Sequence, residues 1–185
     1  MKNKVIDAIS YRFSPTDKIV FDANILVSLF SDLEPPDSRP VLKYSQVLKL
    51  IRQANAQILL DVLVMSEYVN VCVKKHYNLA LSQGDIYDNP KKFRQSAKFP
   101  AIASGIAASA KKIVEFSKPI DHPFSQWPIN DILNEYSAGQ SDLNDQFIVE
   151  LCQKEKALLL TNDADFTKGG ITVLTTNTKL LAACS

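Results

Sequence analysis

The sequence predicts an α/β fold built on a parallel sheet. Three observations lead there. Short apolar or β-branched runs occupy 18–21, 57–60, 157–161 and 171–174, amphipathic helical segments lie between them, and an acidic residue stands just past the end of two of the runs. Strands that alternate with helices imply right-handed crossovers and hence parallel pairing. In such sheets, functional groups gather beyond the carboxyl ends of the strands.

Each element follows from its residues in turn. Lys18-Ile19-Val20-Phe21 reads as a buried strand that delivers Asp22 at its C-terminal end. Residues 24–30 look helical until Ser31-Asp32-Leu33-Glu34-Pro35-Pro36 stops them. In 41–54 the apolar positions Val41, Tyr44, Val47, Leu48, Ile51 and Ala54 fall at helical spacing, and 57–60 forms a second strand. Residues 62–77 predict a helix with Val64, Tyr68, Val71 and Cys72 on its inner stripe and Glu67 beside it. His76 follows Lys74-Lys75 at the end of that helix, where a cation suits the helix dipole.

The stretch 78–100 is polar and basic, broken at Gly84 and Asn89-Pro90, and reads as a loop or short helices. Residues 101–117 are helical and rich in Ala and Ile. Pro119, Pro123 and Pro128 punctuate a connection in which His122 reads as a turn residue and Trp127 as packing, and 130–136 forms a brief helix. Ser141 is placed to cap a helix over 142–154 that turns Phe147, Ile148, Leu151 and Cys152 inward. The strand 157–161 then runs into Asn162-Asp163-Ala164-Asp165-Phe166, and Gly169-Gly170 turns the chain into the strand 171–174.

The whole chain of 185 residues suits one domain, and a composition 46% hydrophobic and 22% charged excludes a disordered or fibrous polypeptide. No apolar run approaches the roughly 20 residues that span a bilayer, so no membrane association is expected. The basic start is interrupted by Asp7 and Arg12 before any secretory apolar region develops. Cys72, Cys152 and Cys184 are odd in number and contain no CxxC pair, which excludes a disulfide framework and points to a reducing cytoplasm.

A net charge of +1 conceals an uneven distribution. From Lys74 to Lys118 nine basic residues face three acids, so that segment carries +6 and the remainder −5. On charge alone this reads as an ordinary solvated surface, although one part could meet a polyanion and the other a cation.

Four places set a carboxylate in strongly apolar surroundings: Asp22 in IVFDANIL, Glu67 in VMSEYVNV, Asp145 in SDLNDQFIVELC and Asp163 in LLLTNDADF. Such a group is costly to desolvate without compensation. No Arg or Lys stands near Asp142 and Asp145, or in the four residues that follow Asp22. A divalent cation is the alternative partner, and hard Mg²⁺ or Mn²⁺ prefers carboxylate and water oxygens. Asp142 and Asp145, three residues apart, share one helix face, with Asp142 also in the first turn where the helix dipole favours an anion.

In order, spacing and local context these acids resemble the PIN domain, the fold of VapC-type toxin ribonucleases and related nucleases. The resemblance runs from about residue 18 to 180. It implies a three-layer α/β/α fold with a central parallel sheet, here with a helical elaboration over about 78–140 that covers the least familiar part of the chain. It also implies an acidic pocket that binds Mg²⁺ or Mn²⁺ and hydrolyses RNA. Carried over position by position, Asp22, Glu67, Asp145 and Asp163 match the catalytic, metal-binding quartet, with Asp142 and Asp165 as auxiliary metal ligands. Thr161 matches the small hydroxyl residue before the fourth acid, and Asn24 supports the first.

Lys91, Lys92, Arg94 and Lys98 in the basic segment are the expected RNA contacts. A toxin role would add a small antitoxin that inserts a basic side chain into the pocket, and often a homodimer.

Two rivals are a PIN-like module that binds RNA or protein without turnover, and a haloacid-dehalogenase-like phosphatase. The phosphatase needs a second acid two residues after the first, and that position is Asn24. GxSxG, GxxxxGK[ST] and GxGxxG motifs are absent, and two isolated histidines do not make a zinc site.

Overall fold

The computed structural model describes residues 1–122, 124–139 and 142–184. Its strands, in chain order, are β1 (Lys4–Asp7), β2 (Lys18–Phe21), β3 (Gln57–Leu60), β4 (Lys118–Pro119), β5 (Leu158–Leu160) and β6 (Thr172–Thr175). They form one sheet in the order β1-β6-β5-β2-β3-β4, and every pairing between them is parallel. The helices are α1 (Ala23–Phe30), α2 (Arg39–Gln53), α3 (Val62–Ser82), α4 (Pro90–Arg94), α5 (Phe99–Phe116), α6 (Ile129–Ser137), α7 (Leu143–Glu155) and α8 (Thr178–Cys184), with a 3₁₀ turn at Phe124–Gln126. The expected three-layer α/β/α fold with a central parallel sheet is the fold observed.

The strand order explains where a site can form. From β2 the chain steps outward to β3 and then β4, and afterwards returns through α6 and α7 to β5 on the opposite side of β2. The reversal opens a crevice between the C-terminal ends of β2 and β5, because the connections leaving those two strands diverge. Asp22 follows β2 directly and Asp163 follows β5, so both predicted strand-end acids border that crevice.

Central strands buried on both faces need apolar interiors. Ile19, Val20 and Phe21 of β2, Leu159 and Leu160 of β5, and Val173 and Leu174 of β6 are all buried. α1 packs on α2 and α3, α3 on α5, and α6 on α7. The helical faces follow the sequence spacing closely: Tyr44, Val47 and Ile51 of α2, Val64, Tyr68 and Cys72 of α3, and Ile148, Leu151 and Cys152 of α7 are buried. Within 78–140, α5 joins the packed layer beside α1 and α3, and β4 extends the sheet edge. α4 fixes Phe93 in an aromatic cluster with Tyr77, Tyr87 and Phe99.

Several expectations are corrected. The helix at 62–77 continues to Ser82, so His76 is not at its end; its Nε2 instead faces Asp32 Oδ1 at 3.6 Å. Asp142 caps α7, its Oδ1 accepting the Asn144 N–H at 2.9 Å. Ser141 and Pro123 lie outside the described residues. His122 is no simple turn residue: its Nδ1 lies 2.7 Å from Oδ2 of Asp61, which is 1% exposed and caps α3. Trp127 is buried as expected, stacked on Phe147 at 5.2 Å. β1 and α8 were not anticipated. No described helix is long and apolar enough to cross a membrane.

Candidate active site

Asp22 is the anchor of the site. It leaves β2 in an extended conformation and caps α1, its Oδ1 accepting the Asn24 N–H at 3.4 Å. An Asp in that position satisfies an otherwise orphaned helix donor, which is one reason the chain turns here. Oδ2 accepts from Thr161 Oγ and from Asn24 Nδ2, both at 2.6 Å. The side chain is 6% exposed, and no ammonium or guanidinium is among its described hydrogen-bond partners. Burial raises its pKa above the ordinary carboxyl value and Asp163 adds to the rise, while the Thr161 and Asn24 hydrogen bonds oppose it.

Thr161 organises the second wall. Besides donating to Asp22, its Oγ accepts the Asp163 N–H at 3.0 Å and Asn24 Nδ2 at 3.2 Å. Asn24 Oδ1 in turn accepts the Asn162 N–H at 3.1 Å, which ties the start of α1 to the turn after β5. Asp163 Oδ1 accepts the Asp165 N–H at 2.9 Å. Thr161 and Asn24, expected as supporting residues, are thus both hydrogen-bonded to the Asp22 carboxylate.

Beneath this turn lies a residue that sequence reasoning read only as core. Tyr44 is fully buried, and its hydroxyl donates to the Thr161 carbonyl at 3.0 Å while accepting the Thr176 N–H at 3.2 Å. Asn177 Nδ2 donates to the Asn162 carbonyl at 2.7 Å. The turn that carries Asp163 is thus held from below by α2 and from the side by the segment after β6. Nothing in the local sequence marks Tyr44, because its partners lie more than a hundred residues away.

Asp22, Glu67, Asp145 and Asp163 all line one cleft of about 320 Å³, together with Asn24 and Asn162. Glu67 reaches it from the second turn of α3, and Asp145 from the first turn of α7. The four come from four separate segments, and their charges act on one another. Burial raises the pKa of Glu67, followed by the charges of Asp22, Asp142 and Asp163. Burial, and then Asp22, Asp163, Asp142 and Glu67, push Asp145 up to about 7. The acids are spread around the cleft wall: among the described residues, no three acidic, imidazole or thiol groups are close enough to enclose an ion as they stand. An ion that keeps much of its water shell, as Mg²⁺ does, suits such a spacing better than a fully dehydrated one.

The remaining predicted residues are placed elsewhere. Asp142 and Asp165 border a neighbouring cavity of about 940 Å³ between α6, α7 and the 164–168 turn, which shares Asp145 with the first. Lys91, Lys92 and Arg94 are exposed on α4, and Lys98 is paired with Asp85 at 2.7 Å. None of these four lines the cleft. α4 packs near Tyr77, about 15 Å along α3 from Glu67. The cation that does line the cleft is Lys75, which pairs with Glu34. Its signal was present in the spacing of Glu67, Val71 and Lys75, each four residues on.

The family model for the PIN domain matches residues 19–171. No curated protein matches the chain. Among solved structures, it is similar to VapBC2 from Rickettsia felis bound to a DNA fragment from its promoter, at 18% identity over 85% of this chain and 98% of that one, with a TM-score of 0.53. It is also similar to PAE2754 from Pyrobaculum aerophilum, at 17% identity over 90% of this chain and 96% of that one, with a TM-score of 0.47.

Proposed function

The chain belongs to the PIN domain family, whose members are generally nucleases, and from that premise we propose that it is a divalent-metal-dependent endoribonuclease hydrolysing RNA phosphodiester bonds. One observation carries the reading: four carboxylates from distant segments line a single cleft at the switch point of the sheet, without a cation bonded to the most buried of them.

The donor set is all oxygen, which fits Mg²⁺ or Mn²⁺ and not a soft ion. Asp22, Glu67, Asp145 and Asp163 would hold it, with Asp142 and Asp165 as outer acids. When bound, a divalent ion supplies charge neutralisation at the phosphate and a more acidic attacking water. The chain's own groups do the rest. Thr161 and Asn24 fix the Asp22 carboxylate so that its orientation does not depend on the substrate. Asp145, with Glu67 beside it, is the carboxylate proposed to accept the proton of the attacking water. Exposed lysines of the 74–118 segment supply phosphate attraction without sequence reading.

VapBC2, to which the fold is similar, is bound to a DNA fragment from its promoter. For this chain we propose a toxin role with a small antitoxin whose cationic side chain enters the acidic cleft, and a homodimer. An acidic cleft of this size is electrostatically suited to such a group.

The test is cleavage of single-stranded and structured RNA with Mg²⁺ or Mn²⁺, stopped by EDTA. Asp22→Asn and Asp145→Asn should abolish cleavage while the protein stays folded. RNA binding without any turnover would make the chain a PIN-like binding module instead.

A further inference from the structure

α3 presents Glu67, Val71 and Lys75 to the cleft as one stripe. Eight residues of helix separate the carboxylate from the ammonium, about 12 Å along the axis. The cleft therefore has polarity along its length, with the catalytic acids at one end and a cation at the other. The other described charged residues lining it are Asp22, Glu34, Glu67, Asp145 and Asp163, all acidic.

Lys75 is not an ordinary surface lysine. Glu34, from the connection between α1 and α2, pairs with its Nζ and lines the same cleft, so the ammonium is held toward the cleft and not splayed into solvent. The side chain is still 41% exposed. An ammonium has three donors, and one serves Glu34. His76, the next residue, faces Asp32 of the same connection at 3.6 Å, beyond hydrogen-bond reach.

We propose that Lys75 anchors a backbone phosphate of the bound RNA strand, a short way along from the bond to be cut, and that Glu34 is its built-in competitor. The carboxylate parks the ammonium in the cleft, and an arriving phosphate shares or displaces it. The nature of the strand rests on the ribonuclease reading; the geometry of the contact does not. A simple tether between α3 and the connection is the competing account. It predicts that removing either partner has the same effect, whereas anchoring predicts opposite effects.

The experiment measures fluorescence anisotropy of a labelled single-stranded oligoribonucleotide. The protein is the full chain carrying Asp145→Asn, in EDTA, over a series of salt concentrations. Lys75→Met should weaken binding about three- to tenfold and flatten the slope of log affinity against log salt by about 0.7. Lys75→Arg should keep both near the parent values. Glu34→Gln should tighten binding about two- to fivefold with the slope retained. Equal weakening by Lys75→Met and Glu34→Gln, or an unchanged slope in Lys75→Met, overturns the proposal. If Lys75→Met fails to fold by circular dichroism, Glu34→Gln decides alone: tighter binding supports anchoring, and weaker or unchanged binding refutes it. Cleavage by the unmodified protein is scored separately. Cleavage with like responses sinks only the Lys75 assignment, and opposite responses without cleavage sink only the nuclease.

Discussion

Thr161 Oγ donates to Asp22 Oδ2 at 2.6 Å, so the residue just after one central strand fixes the carboxylate just after its neighbour. Both residues are buried, and the same hydroxyl accepts the Asp163 N–H. One oxygen therefore sets the relative positions of two acids that are 141 residues apart in the numbering of the chain. Thr161→Val keeps the shape and removes the hydroxyl. It should cost about 1–3 kcal/mol in urea denaturation, because a buried carboxylate and a backbone N–H lose their partner. It should also lower cleavage more than it lowers RNA binding, since the acids and not the phosphate contacts are disturbed.

Asp145 makes the metal-free protein less stable at neutral pH. Its folded-state pKa of about 7 lies above the ordinary 3.8. Between those values the folded protein holds a proton that the unfolded chain has released, so stability falls as pH rises through that window. Below it the carboxyl is protonated in both states and contributes no penalty. Asp22 and Glu67 are raised in the same direction and reinforce the trend. Asp145→Asn should then abolish cleavage yet stabilise the metal-free fold at pH 8 by on the order of 1–2 kcal/mol, after discounting for solvent screening. That is a rise in Tm of about 2–6 °C, with no gain at pH 4. A lower Tm for the variant at pH 8 would show that Asp145 is a structural acid.

Asp61 is the second buried acid at this edge of the sheet, and its work is structural. It caps α3, accepting the Leu63 N–H at 2.8 Å, and faces His122 Nδ1 at 2.7 Å. Asp61→Ala removes both bonds at a site 1% exposed and should cost about 2–4 kcal/mol by denaturation. Asp37→Ala, at an exposed position, should change stability by less than about 0.5 kcal/mol.

The α4 cations stand apart from the cleft, so their effect should depend on RNA length. Neutralising Lys91, Lys92 and Arg94 together should weaken binding of a long RNA and reduce its salt slope by up to about 2. An oligonucleotide short enough to fit the cleft alone should bind as before. An unchanged slope on the long RNA removes α4 from the interface.

What was legible in the sequence was whatever is local. A strand that must be buried on both faces shows as IVF or LLL, and an acid at its end is conspicuous because nothing nearby neutralises it. That suffices to mark Asp22 and Asp163, and the three-residue spacing sets Asp145 on the face of α7 that Asp142 begins. The partners of these acids were less visible, except Thr161 and Asn24, which stand beside them in the chain. Tyr44 looks like any buried aromatic at helical spacing, and Asp61 and His122 meet across 61 residues. Lysines are so common on surfaces that nothing in the sequence separates Lys75 from the rest of the basic segment. β1 escaped notice because an edge strand half-buried along its length carries little apolar signal, and β4 is only two residues long.

The central claim is that Asp22, Glu67, Asp145 and Asp163 act together as one site for a divalent cation. Titration of Mn²⁺ into the protein, followed by loss of the free-ion electron paramagnetic resonance signal, tests it most directly. The account predicts saturable binding that Mg²⁺ displaces and that Asp22→Asn and Asp145→Asn each weaken at least tenfold, by about 1.4 kcal/mol or more. No saturable binding at millimolar Mn²⁺, or binding that both variants retain in full, would contradict it.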